Sequence, residues 1–366
     1  MPRDRPRERL PSGVPGLDDV LCGGLWQGTV DVVQGSPGSG KTVLANQICF
    51  AHARRGGHVV YFTLLGESHD QLLTNLRQMS FYDEAQVSNA IHYISAFATV
   101  QAQGLNGLTQ LMMREREYRG ASLVVLDGMF MLEEAAGSQP DLRRVLNELG
   151  TLASITRTTI LLLTSSRGAE HPEYTMVDAW LELGQEQLGY RTFRFLRVHK
   201  SRGSNALAGQ HHAEITDAGV RIFPRLESLR PGAGVPAGRR RISTGIEELD
   251  RMLQGGIDSA AMGIVAGPSG VGKTSFGLHF VGASRPEEPG LVFGFYEDET
   301  DLLEKGTALG LELQDLVDRG ALEIIWCPPL EGRIDAMAYK LLEAARRRRV
   351  SRLLVDGMEA FGQSAL

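Results

Sequence analysis

Short apolar runs alternate along this chain with stretches whose apolar residues recur every three to four positions. Val30-Asp31-Val32-Val33, Val59–Phe62, Leu123–Leu126 and Ile160–Leu163 have the length and composition of buried strands. Between them, Leu44, Ile48 and Ala51 fall on one helix face, as do Leu72, Leu73, Leu76 and Met79. A further strand is predicted from Ala90 to Phe97 and a helix around Leu108, Leu111 and Met112. Strands alternating with helices predict an α/β fold with a mostly parallel sheet. Then the pattern changes. Phe193, Phe195 and Val198 alternate with Arg194 and Arg197, which predicts an antiparallel strand over Arg191–His199. A hairpin around Arg202-Gly203-Ser204-Asn205 and a closing strand near Val220–Phe223 follow.

The loop after the first strand reads Gly35-Ser36-Pro37-Gly38-Ser39-Gly40-Lys41-Thr42, a full match to the phosphate-loop pattern in its expected strand–loop–helix setting. A triphosphate needs many donors at once. Glycines let successive backbone N–H groups point inward, and the helix that follows adds its free N–H groups and positive dipole end. In this pattern Lys41 reaches the β and γ phosphates and the Thr42 hydroxyl ligates Mg²⁺. Leu123-Val124-Val125-Leu126-Asp127 is a buried strand ending in an acid, the second mark of such sites, and places Asp127 by the metal.

The motif occurs twice. Gly267-Pro268-Ser269-Gly270-Val271-Gly272-Lys273-Thr274 repeats it, and Lys273 minus Lys41 gives an offset of 232. The same offset carries Gly13, Leu17, Asp18, Leu21 and Gly23-Gly24 onto Gly245, Leu249, Asp250, Leu253 and Gly255-Gly256. The chain is therefore a tandem repeat of one domain. We expect a disordered tail over 1–8, one domain over 9–228, a flexible Pro/Gly-rich linker over 229–241 and a second domain over 242–366. In the second copy, Leu291–Phe295 and Arg352–Asp356 read as strands, with Asp356 as the capping acid and Thr274 as its metal-binding partner. Only ten residues follow Asp356, so counterparts of Ile160–Leu163 and of the antiparallel hairpin are absent. An incomplete sheet exposes backbone groups and apolar faces, so a fragment, or a domain completed by a partner, is expected.

Composition narrows the class without changing the fold. The 366 residues are 42% hydrophobic and carry a net charge of −6, which argues against a protein that coats nucleic acid along its surface. The three cysteines, Cys22, Cys49 and Cys327, have no metal-ligand spacing and read as buried thiols in a reducing cytoplasm. No secretory leader is expected from the charged, Pro-rich start, and no membrane span is expected without a run of 18 apolar residues.

With these residues in place, the chain resembles the KaiC-type branch of the RecA-like ATPases. Ser12-Gly13-Val14-Pro15-Gly16-Leu17-Asp18 before Gly23-Gly24, mirrored by Ser243–Asp250 before Gly255-Gly256, carries the likeness. So do the tandem phosphate loops and the tail Val198-His199-Lys200-Ser201-Arg202-Gly203 followed by Ala213–Val220. The resemblance implies a RecA-like P-loop fold in two copies, ATP and Mg²⁺ as cofactors, and hexameric rings with ATP between subunits. It implies that Lys200 and Arg202 reach a neighbour's γ-phosphate. It also implies adjacent acids after the second strand that orient the attacking water. The second copy has Glu297-Asp298-Glu299; at the constant offset Glu299 matches Glu67 and Asp298 matches Gly66, so the first domain keeps one acid of the pair.

The leading expectation is an ATP-hydrolysing regulatory ATPase that assembles with itself and has protein signalling partners. Self-phosphorylation, which the clock member performs after its second acid-capped strand, is not expected, because that region is absent here. One alternative is a DNA-dependent ATPase of recombinase or helicase type, although no basic, aromatic-studded loop is evident. Another is an ATP-gated scaffold without turnover, motivated by Gly66 and the incomplete second copy.

Overall fold

The computed structural model describes residues 8–64, 69–129, 131, 139–165, 176–188, 190–229, 240–328 and 333–364. The chain separates into two compact units, Met1–Leu229 and Arg230–Leu366.

Unit 1 opens with β1 (Arg9–Leu10), α1 (Leu17–Val20) and β2 (Leu25–Trp26). Then come β3 (Val30–Gly35), α2 (Lys41–Arg54), β4 (Val59–Thr63), α3 (His69–Leu76), β5 (Ile91–Ser95), α4 (Phe97–Arg119) and β6 (Leu123–Asp127). α5 (Gln139–Thr156), β7 (Thr159–Ser165), β8 (Ala179–Leu188), β9 (Arg191–Ser201), β10 (Gln210–Thr216) and β11 (Gly219–Phe223) complete it. Nine strands form one sheet in the order β11-β10-β9-β8-β3-β7-β6-β4-β5. The strands from β8 to β5 in that order run parallel, and β9, β10 and β11 add an antiparallel ladder. This is the RecA-like α/β architecture.

Every residue of β3 is buried because strands lie on both of its edges and helices on both of its faces. Alternation divides the core in two. Val59 and Tyr61 of β4 face α2 with Leu44 and Ile48; Val60 and Phe62 face α4 and α5 with Leu108, Met112 and Val145. The ladder curls back over α2. Buried Gln47 donates to Val220 O (3.2 Å) and accepts from Val220 N (2.8 Å), so β11 is tied to α2 by a satisfied polar pair. The antiparallel part expected from Arg191 onward is preceded by β8, which no expectation covered. Its signal was present: Ala179, Leu181 and Leu183 alternate and are buried.

Unit 2 contains β12 (Arg241–Ile242), α6 (Glu247–Met252), β13 (Ile257–Asp258), α7 (Lys273–Gly282), β14 (Gly290–Gly294) and α8 (Glu299–Ala308). α9 (Leu313–Asp318), β15 (Leu322–Trp326), α10 (Ile334–Arg348), β16 (Arg352–Asp356) and α11 (Glu359–Ser364) follow. Its parallel sheet has three strands, β15-β14-β16. The run Gly263-Ile264-Val265-Ala266, the counterpart of β3, is not a strand, and Ile264 is 84% exposed. The cause is topological. β3 pairs with β7 and β8, and no such strands exist among the described residues of unit 2.

Cys49 and Cys327 are buried, but Cys22 is exposed, which corrects the reading of all three as interior thiols. It sits on a turn with φ 55°, where its Sγ donates to Asn205 O at 3.1 Å. No described helix is long and apolar enough to cross a membrane.

Candidate active site

The phosphate loop of unit 1 joins the C-terminal end of β3 to the N-terminus of α2. Gly40 caps α2 with φ 101°, a left-handed geometry, and a Cβ there would lie 2.4 Å from Ile215 Cδ1. A Cβ on Gly35 would meet Leu183 O at 2.3 Å. Gln185 Nε2 also donates to Gly38 O at 3.1 Å. Strands β8 and β10 therefore brace the loop, which is how the antiparallel ladder serves the site. The first turn of α2 carries no acid, so its positive end is left for an anion.

Lys41 Nζ donates to Gly35 O (2.7 Å) and Ser36 O (3.0 Å), which holds the ammonium over the loop. Burial lowers its pKa, and the nearby Asp127 charge opposes that shift. The Thr42 hydroxyl donates to Asp127 Oδ2 at 3.0 Å. Sequence positions 42 and 127 thus meet as a hydroxyl and a carboxylate, the oxygen donor set a magnesium ion takes together with water. Ser39 Oγ is buried without a hydrogen-bond partner among the described residues, so the loop has an unsatisfied donor of its own. These residues fit a metal-bound polyphosphate. The described residues hold no cluster of three His, Cys, Asp or Glu side chains suited to another metal.

Unit 2 repeats part of this. Thr274 Oγ1 donates to Asp356 Oδ2 at 2.9 Å, and Lys273 Nζ donates to Gly267 O and Pro268 O at 2.9 Å each. Its loop is unbraced: Ser269, Gly270, Val271 and Gly272 are exposed, and a Cβ on Gly270 or Gly272 would meet nothing within 4 Å. Asp298 caps α8 by accepting from Asp301 N at 2.9 Å, Glu299 is exposed at the start of that helix, and Glu297 pairs with Lys305. Glu67 lies outside the described residues. The constant offset also fails at the second strand. Asp127 pairs with Thr63 and Asp356 with Gly294, so the equivalent positions there differ by 231.

Lys200 and Arg202 are not brought to the phosphate loop of their own unit. Lys200, next to last in β9, pairs with Trp180, which pairs with Val32 in the first half of β3, whereas the loop leaves the other end of β3. Lys200 Nζ donates to Val177 O at 2.7 Å, and Arg202 N donates to Asp178 O at 2.9 Å. Asp178 anchors this turn to β3: its N–H donates to Val30 O (2.8 Å) and its Oδ2 accepts from Val30 N (3.2 Å).

Beside that anchor lies a group whose significance the sequence reading missed. Asp31 interrupts an apolar strand and is 2% exposed. Burial, reinforced by the Asp178 carboxylate, pushes its pKa up to about 7. The native state keeps a proton that the unfolded chain releases near pH 4, so stability falls as pH rises from about 4 to about 7. Asp31→Asn removes this loss. We predict that the variant's melting temperature, relative to the unaltered chain, rises more at pH 8 than at pH 5. An equal difference at both values would show that Asp31 does not titrate in this range.

The family model described as "ATPase: KaiC" matches residues 10–227 and 242–365. The chain belongs to the KaiC family of ATPases. Among curated KaiC relatives, the circadian clock oscillator protein KaiC of a Picosynechococcus species is 23% identical over 371 residues, covering 97% of this chain and 71% of its own length. The protein of that name from Prochlorococcus marinus is 24% identical over 370 residues, covering 97% and 74%. That from Parasynechococcus marenigrum is 25% identical over 373 residues, covering 97% and 72%.

Proposed function

We propose that this chain is a magnesium-dependent ATP hydrolase whose competent nucleotide site is the phosphate loop of unit 1, used at an interface between copies of the chain. The meeting of Thr42 with Asp127 beneath Lys41 carries the proposal. Thr42 and Asp127 would hold the metal, which when bound neutralises charge on the triphosphate oxygens. Gly35, Ser36, Gly38, Ser39 and Gly40 would line the phosphates with backbone donors, Pro37, which has no N–H, would shape the turn between them, and Lys41 would exchange its two carbonyl partners for phosphate oxygens. Glu67 is the proposed water-orienting acid. Lys200 and Arg202 face away from their own loop, so any stabilisation they give a transferred phosphoryl group acts on a neighbouring copy. Residues 267–274 of unit 2 are assigned a second nucleotide site, in which Thr274 and Asp356 would hold the metal.

Equilibrium binding of a fluorescent ATP analogue, followed with light scattering for mass, tests this reading. Saturable binding that weakens on adding EDTA, with an increase in mass on Mg²⁺–ATP, is expected. Binding indifferent to EDTA, or a mass unchanged by nucleotide, would overturn the metal or the interface part respectively.

A further inference from the structure

We propose that Tyr61 is a positioning residue for the metal-binding carboxylate of unit 1, an inference that rests on the magnesium reading above. Tyr61 stands on the α2 face of β4 and is fully buried. A buried phenol hydroxyl needs a partner, and that of Tyr61 donates to Asp127 Oδ2 at 2.8 Å. The same oxygen accepts from Thr42 at 3.0 Å. Two donors converging on one oxygen fix the plane of the carboxylate, so less rotational freedom is lost when a cation binds. Burial and the Asp127 charge push the Tyr61 pKa well above its usual value, so the group stays a donor.

The contact belongs to a closed circuit. The Tyr61 ring packs on Tyr93 with centroids 5.2 Å apart. The Tyr93 hydroxyl donates to Asn46 Oδ1 at 2.7 Å, and Asn46 Nδ2 donates to Thr42 O at 2.8 Å. Thr42 and Tyr61 both donate to Asp127, which closes the circuit.

Unit 2 supplies an internal control. Counting two residues back from the strand partners of Asp127 and Asp356 pairs Tyr61 with Val292, and their cross-strand neighbours are Tyr93 and Ile324. Asn46 corresponds to Leu278 on the helix after the loop. Unit 2 keeps the Thr274–Asp356 contact and carries Val292, Ile324 and Leu278, which donate nothing, in its apolar core. Unit 2 therefore keeps the hydroxyl–carboxylate contact without the polar circuit.

Manganese binding to the nucleotide-loaded full chain, read by electron paramagnetic resonance, tests the assignment. To isolate unit 1, both chains carry Lys273→Ala. Tyr61→Phe removes only the hydroxyl and keeps the ring. We expect roughly tenfold weaker Mn²⁺ affinity, with nucleotide binding in EDTA unchanged. Equal affinity in both chains, with any loss confined to the melting temperature, would make Tyr61 a structural residue and overturn the inference. No Mn²⁺ binding by the Tyr61 chain would overturn the magnesium reading and this inference with it. Tyr93→Phe, which breaks only the Asn46 contact, is expected to weaken binding less than Tyr61→Phe; a larger effect would place the positioning role elsewhere in the circuit.

Discussion

A chain carrying Lys41→Ala will lose ATP turnover by at least about a hundredfold, the usual cost of removing one cation or donor aimed at developing charge. Its ammonium is held on the loop carbonyls of Gly35 and Ser36 and feels the charge of Asp127, where phosphate charge would concentrate. Alanine removes the charge without disturbing the core, since among the described residues the Lys41 ammonium donates to loop backbone at Gly35 and Ser36. Lys273→Ala will leave most of the turnover, because the second loop stands exposed. Turnover that survives Lys41→Ala and disappears with Lys273→Ala would transfer the chemistry to unit 2.

Asp127→Ala will lower both turnover and stability, and the two losses separate. Removing the carboxylate takes one of two proposed metal-binding side chains, so turnover will fall by at least about tenfold. It also strips the acceptor from the buried Tyr61 hydroxyl, which costs roughly 1–3 kcal/mol. Adding Tyr61→Phe to Asp127→Ala removes the orphaned hydroxyl and will recover much of that stability in urea unfolding, while turnover stays low. A double variant less stable than Asp127→Ala alone would show that the Tyr61 hydroxyl has another partner of greater weight.

The sequence exposed what is written in local chemistry. The glycine loops, the lysines after them and the acids ending β6 and β16 announce themselves because a phosphate site needs those residue types in contiguous order. The parallel sheet was legible because β4, β6 and β7 each carry an uninterrupted apolar run, Val59–Phe62, Leu123–Leu126 and Ile160–Leu163. The remainder depends on pairing across long separations. Tyr61 reads as an ordinary strand aromatic until β4 lies beside β6 and its hydroxyl meets a carboxylate 66 positions away. The bracing of Gly35 and Gly40 by β8 and β10 is equally invisible before the ladder folds back. Lys200 and Arg202 were legible as a basic pair, but only the strand directions show that they point away from their own loop. Asp31 is the missed signal: an acid within a buried strand always needs an explanation.

One constant offset describes unit 2 only in part. The offset of 232 holds through the second phosphate loop and fails by one residue at the next strand. Residue counts between elements drift more readily than the elements themselves, since loops absorb insertions at little cost. The strand register, anchored on the two acids, gives the truer equivalence.

The most direct test of the central claim is steady-state phosphate release from ATP by the unaltered full chain, with Mg²⁺ and with EDTA. We predict turnover that requires the metal. Nucleotide that binds tightly in Mg²⁺ and is recovered as intact ATP would contradict hydrolysis and make the chain a nucleotide-gated scaffold.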